Sequence, residues 1–590
     1  MSGFREEYEV YLKPAKPEGV QGKRIFITGG GLAGLAAALF LLRDCSVDGE
    51  QITILEKELL SGGACDGYSF EGAGHIMRGD HKLEGGSPLL ADLMRSIPSA
   101  DTDGSLLEEM CELDRFDPNY SLCRATAKRG ESASLGDGFR LPDSGCVEIL
   151  KILLSTDEEL AEKRVSDVLG EDVLSSPFWL YFRTTFAFRE NYSALELKTA
   201  ISRRLKHLSG LPDLSAFSYT RYNLFDSLIL PLTQKLQSLG VAFRYGVHVT
   251  DVAFDCARGR KRATRIDYVE QGEEGCIDLD EQDIALITLG SCVENSARGS
   301  LTEPAPFLKE IREGGSFDLW RKIALQDPSF GHPEVFSLRP EETALVSATI
   351  TTGDRKIISH IKKICKRDPF AGKTVTGGIV TVTDSPWLMN WSVARQPLFR
   401  GQEEGQCVIW LYGLRVDQNG EYVEKPMREC TGAEICAEWL YHIGVPADQI
   451  EELAGEHTQT IPVIMPFAGA PLLPRQPGDR PDPLPEGAEN FAFLGQFTEN
   501  GTDAAFSAEY AVLSAMQAVY TLFGIERHVP DMTEGVYDLR TMMRAASVLR
   551  DGKSLRDTEL KRSHKTLLKS ALKIIKGTEI EQLMREEHLL

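Results

Sequence analysis

The chain lacks any apolar run of the eighteen or so residues needed to cross a bilayer, and its polar start, "MSGFREEYEVYLKPAKPEG", has no apolar core of signal-peptide length. The expectation is therefore a cytoplasmic protein, at most peripheral to a membrane. Cys-x-x-Cys and zinc spacings are missing too. The twelve cysteines are scattered and read as reduced thiols, so neither a disulfide framework nor a metal site is expected. An excess of basic residues is also absent, since the net charge of −23 argues against a nucleic-acid partner. No internal repeat or low-complexity tract stands out. At 590 residues the chain exceeds what one hydrophobic core supports, so two or three interlocked domains are expected.

What is present begins with "RIFITGGGLAGLAAALFLLRD", residues 24–44. Ile25, Phe26 and Ile27 read as a buried parallel strand, and Leu35, Ala36, Leu39, Phe40 and Leu42 as the helix after it. Between them stand Gly29, Gly31 and Gly34 in Gly-x-Gly-x-x-Gly spacing. The first glycine permits the tight turn and the second lets backbone N–H groups approach a pyrophosphate. The third lets helix and strand pack closely, with the anion at the positive end of the helix dipole. "QITILEKE" supplies a second strand ending in Glu56, about twenty residues past the last glycine, where an acid takes a ribose hydroxyl and favours FAD or NAD over NADP. Gly62 and Gly63 in "SGGACDG" are expected to bring a second glycine turn to the cofactor.

The reading along the chain assigns 1–20 to a tail, 21–87 to the first part of an FAD domain and 88–222 to a helical substrate or lid region. Residues 223–299 return to the FAD domain, with Val249 and Ser291 as cofactor contacts. A mixed α+β substrate domain is expected over 300–485. The strand–turn "FAFLGQF" opens a closing FAD segment, 486–530, bringing Gly495 and Gln496 to the cofactor. Residues 531–590 are helical; within them 560–577 carries Lys561, Arg562, Lys565, Lys569 and Lys573 beside apolar residues at roughly helical spacing. Such a basic amphipathic stretch suits an anionic membrane surface, or equally a C-terminal helix packed on its own domain with solvated lysines. The fold class is thus α/β: a Rossmann-like FAD-binding fold with an inserted substrate domain and a helical C-terminal region.

"RTTFAF", "YNLFDSLILPLTQKLQSLGVAFRYG", "KIALQDPSFGHPEVFSL", "GGIVTVTDSPWLMNWSVARQPLF", "GDRPDPLPEGAENFAFLGQF" and "EYAVLSAMQAVY" resemble, in order, the oleate hydratase family, also called the myosin-cross-reactive antigen family. The likeness runs from about Tyr11 to about Pro530. It implies bound FAD, an unsaturated fatty-acid substrate, addition of water across a cis double bond, a homodimer and a C-terminal segment that meets membranes. In that chemistry the flavin is not consumed.

The resemblance fails at the positions that would perform it. The family's Arg-Gly-Gly-Arg-Glu-Met-Glu loop reads "RGDHKLE" here: Arg78 and Gly79 agree, Lys82 replaces the water-activating glutamate, and Glu84 survives. Ala200 stands where the family has its proton-donating tyrosine. In the head-group region Asn223 is kept, Leu224 replaces a glutamine, and Gly469 and Pro471 leave Arg475 as the polar anchor. Hydration of an isolated alkene needs a positioned proton donor and a base for water. His81, Lys82 and Glu84 are the local candidates for relocated acid and base, against a reading of His81 and Lys82 as solvated loop residues. Three functions stay open: a hydratase or double-bond isomerase without net redox, a flavin oxidoreductase or desaturase of a lipid or polyketide chain, and a non-catalytic FAD- and lipid-binding homologue.

Overall fold

The structure is a computed structural model that describes residues 17, 20 and 22–590 apart from 71, 81, 134, 136, 137, 502, 558–569 and 571. His81 and most of the basic 560–577 stretch therefore lie outside the described residues. Among those described, no helix is long and apolar enough to cross a membrane and no cluster suits a metal ion. All twelve cysteines are free thiols.

Five parallel strands form the sheet that carries the glycine turn. They are β1 (Ile25–Thr28), β2 (Ile52–Glu56), β3 (Ala242–Tyr245), β4 (Ile284–Thr288) and β5 (Phe491–Leu494), in the order β5-β4-β1-β2-β3. β1 sits between β2 and β4, with Ile27 beside Ile54 on one side and Leu286 on the other. Three distant stretches of chain thus build one sheet, as a parallel arrangement with crossover connections requires. Helix α1 (Leu32–Arg43) leaves β1 with Leu32 to Leu41 all buried, which explains why its sequence is apolar on every side. It packs against the late helix α3 (Ala508–Phe523), and Tyr520 of α3 donates to Asp44 at 2.6 Å.

The strand that carries Val249, Val247–Ala257, belongs not to this sheet but to a separate antiparallel sheet with Arg260–Glu270 and Glu273–Asp278. The 88–222 stretch is not wholly helical either. Ala125–Ala127 pairs in parallel with Val380–Val382, and Glu131–Ser132 follows, so both join the large sheet built mainly from residues 297–465. Three-residue strands carry too little periodicity to be seen in sequence.

That large sheet has eight strands, with Leu345–Thr352 near its middle, between Cys407–Gly413 and Thr458–Met465. Alternation along "LVSATITT" sorts its faces. Val346, Ala348 and Ile350 enter the core beneath Arg355–Cys365 and Gly432–His442. Ser347, Thr349 and Thr351 face the opposite way and hold the backbone of 75–78: Thr351 accepts from the His75 N–H at 3.2 Å and Thr349 from Met77 at 3.1 Å, while Ser347 donates to the Arg78 carbonyl. These hydroxyls carry the chain from the glycine turn onto the eight-stranded sheet.

Candidate functional site

The glycine turn is built as a cradle. Gly29 has φ +99°, a backbone that side chains strain to adopt, and a Cβ on Gly34 would stand 2.1 Å from the Gly29 carbonyl. Gly31 differs: a Cβ there meets nothing nearer than the Gly63 Cα at 4.0 Å. Its openness is not required by packing and leaves room above the α1 N-terminus. The second glycine turn does reach the first, since Gly62 donates to the Gly30 carbonyl at 2.9 Å and Gly31 and Gly62 form a parallel bridge. Glu56, at the end of β2, accepts from Gly30 N–H at 2.6 Å through Oε2 and from Glu58 N–H at 2.8 Å through Oε1. Burial pushes its carboxyl up and the two N–H groups oppose this. Each oxygen keeps a lone pair for a ribose hydroxyl. The open Gly31 and this carboxylate fit a dinucleotide.

Arg78 pairs with Asp66 at 2.9 Å and donates to the Gly63 carbonyl, so it ties the loop that it opens to the second glycine turn. Gly79 follows it into that loop. Gly495 (φ +94°) ends β5, and a Cβ on either Gly29 or Gly495 would touch Thr288, so the ends of β1, β4 and β5 converge. Gln496 lies close enough to hydrogen bond to Cys292, whose thiol burial pushes up to about 11. Ser291 Oγ accepts from Val293 N–H at 3.3 Å. Val249 is buried in the core that contains Phe26 and Leu55.

Past Gly79 the loop sends the two described acid/base candidates, Lys82 and Glu84, in different directions. Leu83–Glu84 pairs antiparallel with Phe217–Ser218, which sets Lys82 beside the 217–219 backbone. Lys82 Nζ lies 3.0 Å from Asp80 Oδ2 and 6.0 Å from the centre of the Phe217 ring. Asp80 Oδ1 accepts from Ser392 at 2.6 Å. Lys82 is therefore an ion-pair partner and not a solvated residue.

Glu84 faces the other way, into a buried ionic group on helix α2 (Ala194–Arg204). It bonds Arg203 at 2.8 Å and also pairs with Arg204. Burial opposes its charge, but the Arg204 and Arg203 guanidinium groups overcome this and hold the carboxyl below the ordinary range. Arg203 also reaches Asp503, and Glu509 at 3.2 Å. A carboxylate gripped by two arginines is a poor proton acceptor, so the structure gives no support to Glu84 as the base.

The expected head-group residues do not converge. Asn223 lines a cavity beside Asp80, with its amide spent on Asp226 at 2.8 Å and the Leu398 carbonyl at 3.1 Å. Leu224 packs into the dinucleotide-domain core with Leu228 and Leu232. Arg475 lines a different, open cavity of about 860 Å³ and is held by Glu196 at 3.0 Å and Glu499 at 2.6 Å. It has two carboxylates already, which corrects its reading as a free anchor for a third. Ala200 is fully buried, and Gly469 abuts the Tyr192 hydroxyl, 2.1 Å from where a Cβ would sit.

Two residues beside the first cavity were missed in the sequence. Asp80 occupies the second glycine position of the loop motif that the resemblance implies, two residues before Lys82. Tyr219 follows the strand that pairs with Leu83–Glu84 and lines the same cavity as Asp80. An acid appearing two residues before an unexpected lysine was the available signal.

A model of the MCRA family matches residues 22–520. The chain is 39% identical over 587 residues to an oleate hydratase of Streptococcus pyogenes serotype M49 (strain NZ131), covering 99% of each chain. It is 28% identical over 541 residues to a linoleate hydratase of Lactiplantibacillus plantarum, covering 86% of this chain and 94% of that one. Among solved structures, cyclohexylamine oxidase from Brevibacterium oxydans IH-35A aligns with a TM-score of 0.48 at 13% identity, over 85% of this chain and 99% of that one.

Proposed function

The chain belongs to the MCRA family, and on that premise we propose that it is an FAD-binding enzyme acting on the carbon–carbon double bond of an unsaturated fatty acid or similar chain, by hydration or isomerisation without net redox. The observation that carries this reading is the full-length likeness to an oleate hydratase, joined to a glycine cradle whose open position meets no protein atom nearer than 4.0 Å. Gly29, Gly31, Gly34, Gly62 and Gly63 would admit the pyrophosphate, Glu56 the ribose, and Arg78, Gly79, Ser291, Gly495 and Gln496 would border the ring end of the cofactor. When bound, FAD supplies a polarisable ring system beside the substrate and takes no electrons overall. Arg78 then links cofactor turn and substrate loop, and the buried surroundings of Asp80 and Lys82 exclude bulk water from the reacting bond.

A homodimer and contact of the 560–577 segment with an anionic membrane surface belong to the same reading, as does a cytoplasmic location. Sedimentation and vesicle pelleting test the first two. The reaction itself is tested by incubating the FAD-loaded protein with oleic and linoleic acids in water enriched in heavy oxygen. One labelled oxygen per product molecule is expected from hydration, and a shifted double bond without label from isomerisation. An unchanged lipid across these acids, with FAD bound, would make the chain a lipid-binding homologue.

A further inference from the structure

Asp80, Tyr219 and Trp410 meet at a cavity of about 10 Å³, the size of one water molecule, whose apolar wall includes Met77 and Leu398. Tyr219 is 7% exposed and its hydroxyl lies against Asp80, without a hydrogen bond of strict geometry; Trp410 is 4% exposed and its indole N–H has no partner. An unpaired indole N–H, a hydroxyl and a carboxylate on residues around one water-sized space describe a water site with a donor, an acceptor and a group able to be either.

The carboxylate is held for use. Ser392 donates to Asp80 Oδ1 at 2.6 Å and Lys82 stands 3.0 Å from Oδ2, so the group has a fixed orientation and a counter-ion. Burial, then the charge of Asp80 and the hydrogen bond to it, pushes the Tyr219 hydroxyl well above the ordinary tyrosine range, with Arg124 in weaker opposition. It therefore keeps its proton through neutral pH until a reaction takes it.

We propose that Asp80 and Tyr219 are the catalytic base and acid of this chain, standing in for the glutamate lost at Lys82 and the tyrosine lost at Ala200. The assignment rests on the hydration reading above. The oxygen of the cavity water bonds to one alkene carbon as its proton passes to Asp80. The Tyr219 hydroxyl gives its proton to the other carbon. Transfer of the proton from Asp80 to the Tyr219 oxygen then restores both groups, so that one water is added and no electrons are exchanged. Lys82, the family's lost base by position, becomes the positioning residue for its replacement.

The test uses the full-length, FAD-loaded protein. Its crystal structure is expected to show one ordered water within about 3.2 Å of both the Asp80 carboxylate and Tyr219 Oη; a dry cavity overturns the proposal. Tyr219→Phe, near-isosteric, is expected to keep flavin content and melting temperature, and Asp80→Asn to keep flavin content while melting lower because Lys82 loses its counter-ion. Assayed below their melting temperatures, both are expected to lower the rate of water addition to oleic acid about 100-fold or more. Variants within twofold of the unmodified protein overturn the assignment and leave the hydration reading standing. No water addition by the unmodified protein to oleic or linoleic acid removes the reading, and this assignment with it.

Discussion

Lys82 Nζ stands 3.0 Å from Asp80 Oδ2, so the lysine found where the resemblance implies a glutamate is paired with an acid two positions earlier. The exchange keeps one carboxylate in the loop while moving it onto the cavity beside Tyr219. Lys82→Glu, which restores the family residue, is therefore expected to set two carboxylates against each other and to lower both stability and activity. Breaking a buried pair costs about 3–5 kcal/mol, and this one, with Lys82 side chain 15% exposed, is expected near the lower end. Urea unfolding of Lys82→Glu and Lys82→Met checks the value.

Ala200 is fully buried among the aromatic residues of the helical region, Phe182, Phe186 and Phe217 among them. Ala200→Tyr therefore overfills a packed core, at a cost of about 1–3 kcal/mol or more. It is expected to lower the melting temperature and to leave water addition no faster, since the site has closed around alanine. A gain in rate would return the proton donor to the family position.

The cradle separates cofactor binding from folding at neighbouring glycines. Gly31→Ala adds a methyl with no atom nearer than 4.0 Å, so the flavin-free protein is expected to melt within about a degree of the original while FAD affinity falls tenfold or more. Gly34→Ala drives a methyl to 2.1 Å from the Gly29 carbonyl and is expected to destabilise the fold itself. Calorimetry of the apo-proteins with FAD titration separates the two.

The ionic group around Arg203 gives a pH dependence of definite sign. Burial pushes the Glu509 carboxyl up from 4.5 to about 7, so the folded protein holds a proton that the unfolded chain has released. Its contribution to stability is complete below pH 4.5 and is lost as pH rises through 7. Glu509→Gln is expected to flatten the fall in stability between pH 5 and pH 7.5, measured by urea midpoints, with a residual slope of the same sign from Asp503, also raised by burial. Glu84, held below the ordinary range by its arginines, acts in the opposite sense and only at lower pH.

The parallel sheet and its cofactor turn were legible because each rests on local rules: β1, β2 and β4 are short apolar runs, and Gly29, Gly31 and Gly34 stand at a spacing that backbone geometry demands. Glu56 followed from the same logic. The acid/base group was less legible because it depends on pairing across the chain. Asp80 meets Tyr219 only because Leu83–Glu84 pairs with Phe217–Ser218, more than 130 residues away, and Glu84 is withdrawn by arginines on α2. Arg475 looked free for want of any sign that Glu196 and Glu499 fold onto it. Residue type and order reveal a turn, but not which charges have already found partners.

The most direct measurement follows flavin absorbance during anaerobic incubation of the FAD-loaded protein with oleic acid, with the lipid analysed for added water at the same times. The account predicts product carrying one water while the oxidised flavin spectrum stays unchanged. Bleaching of the flavin in proportion to lipid consumed, with no water gained, would contradict it and make the chain an oxidoreductase.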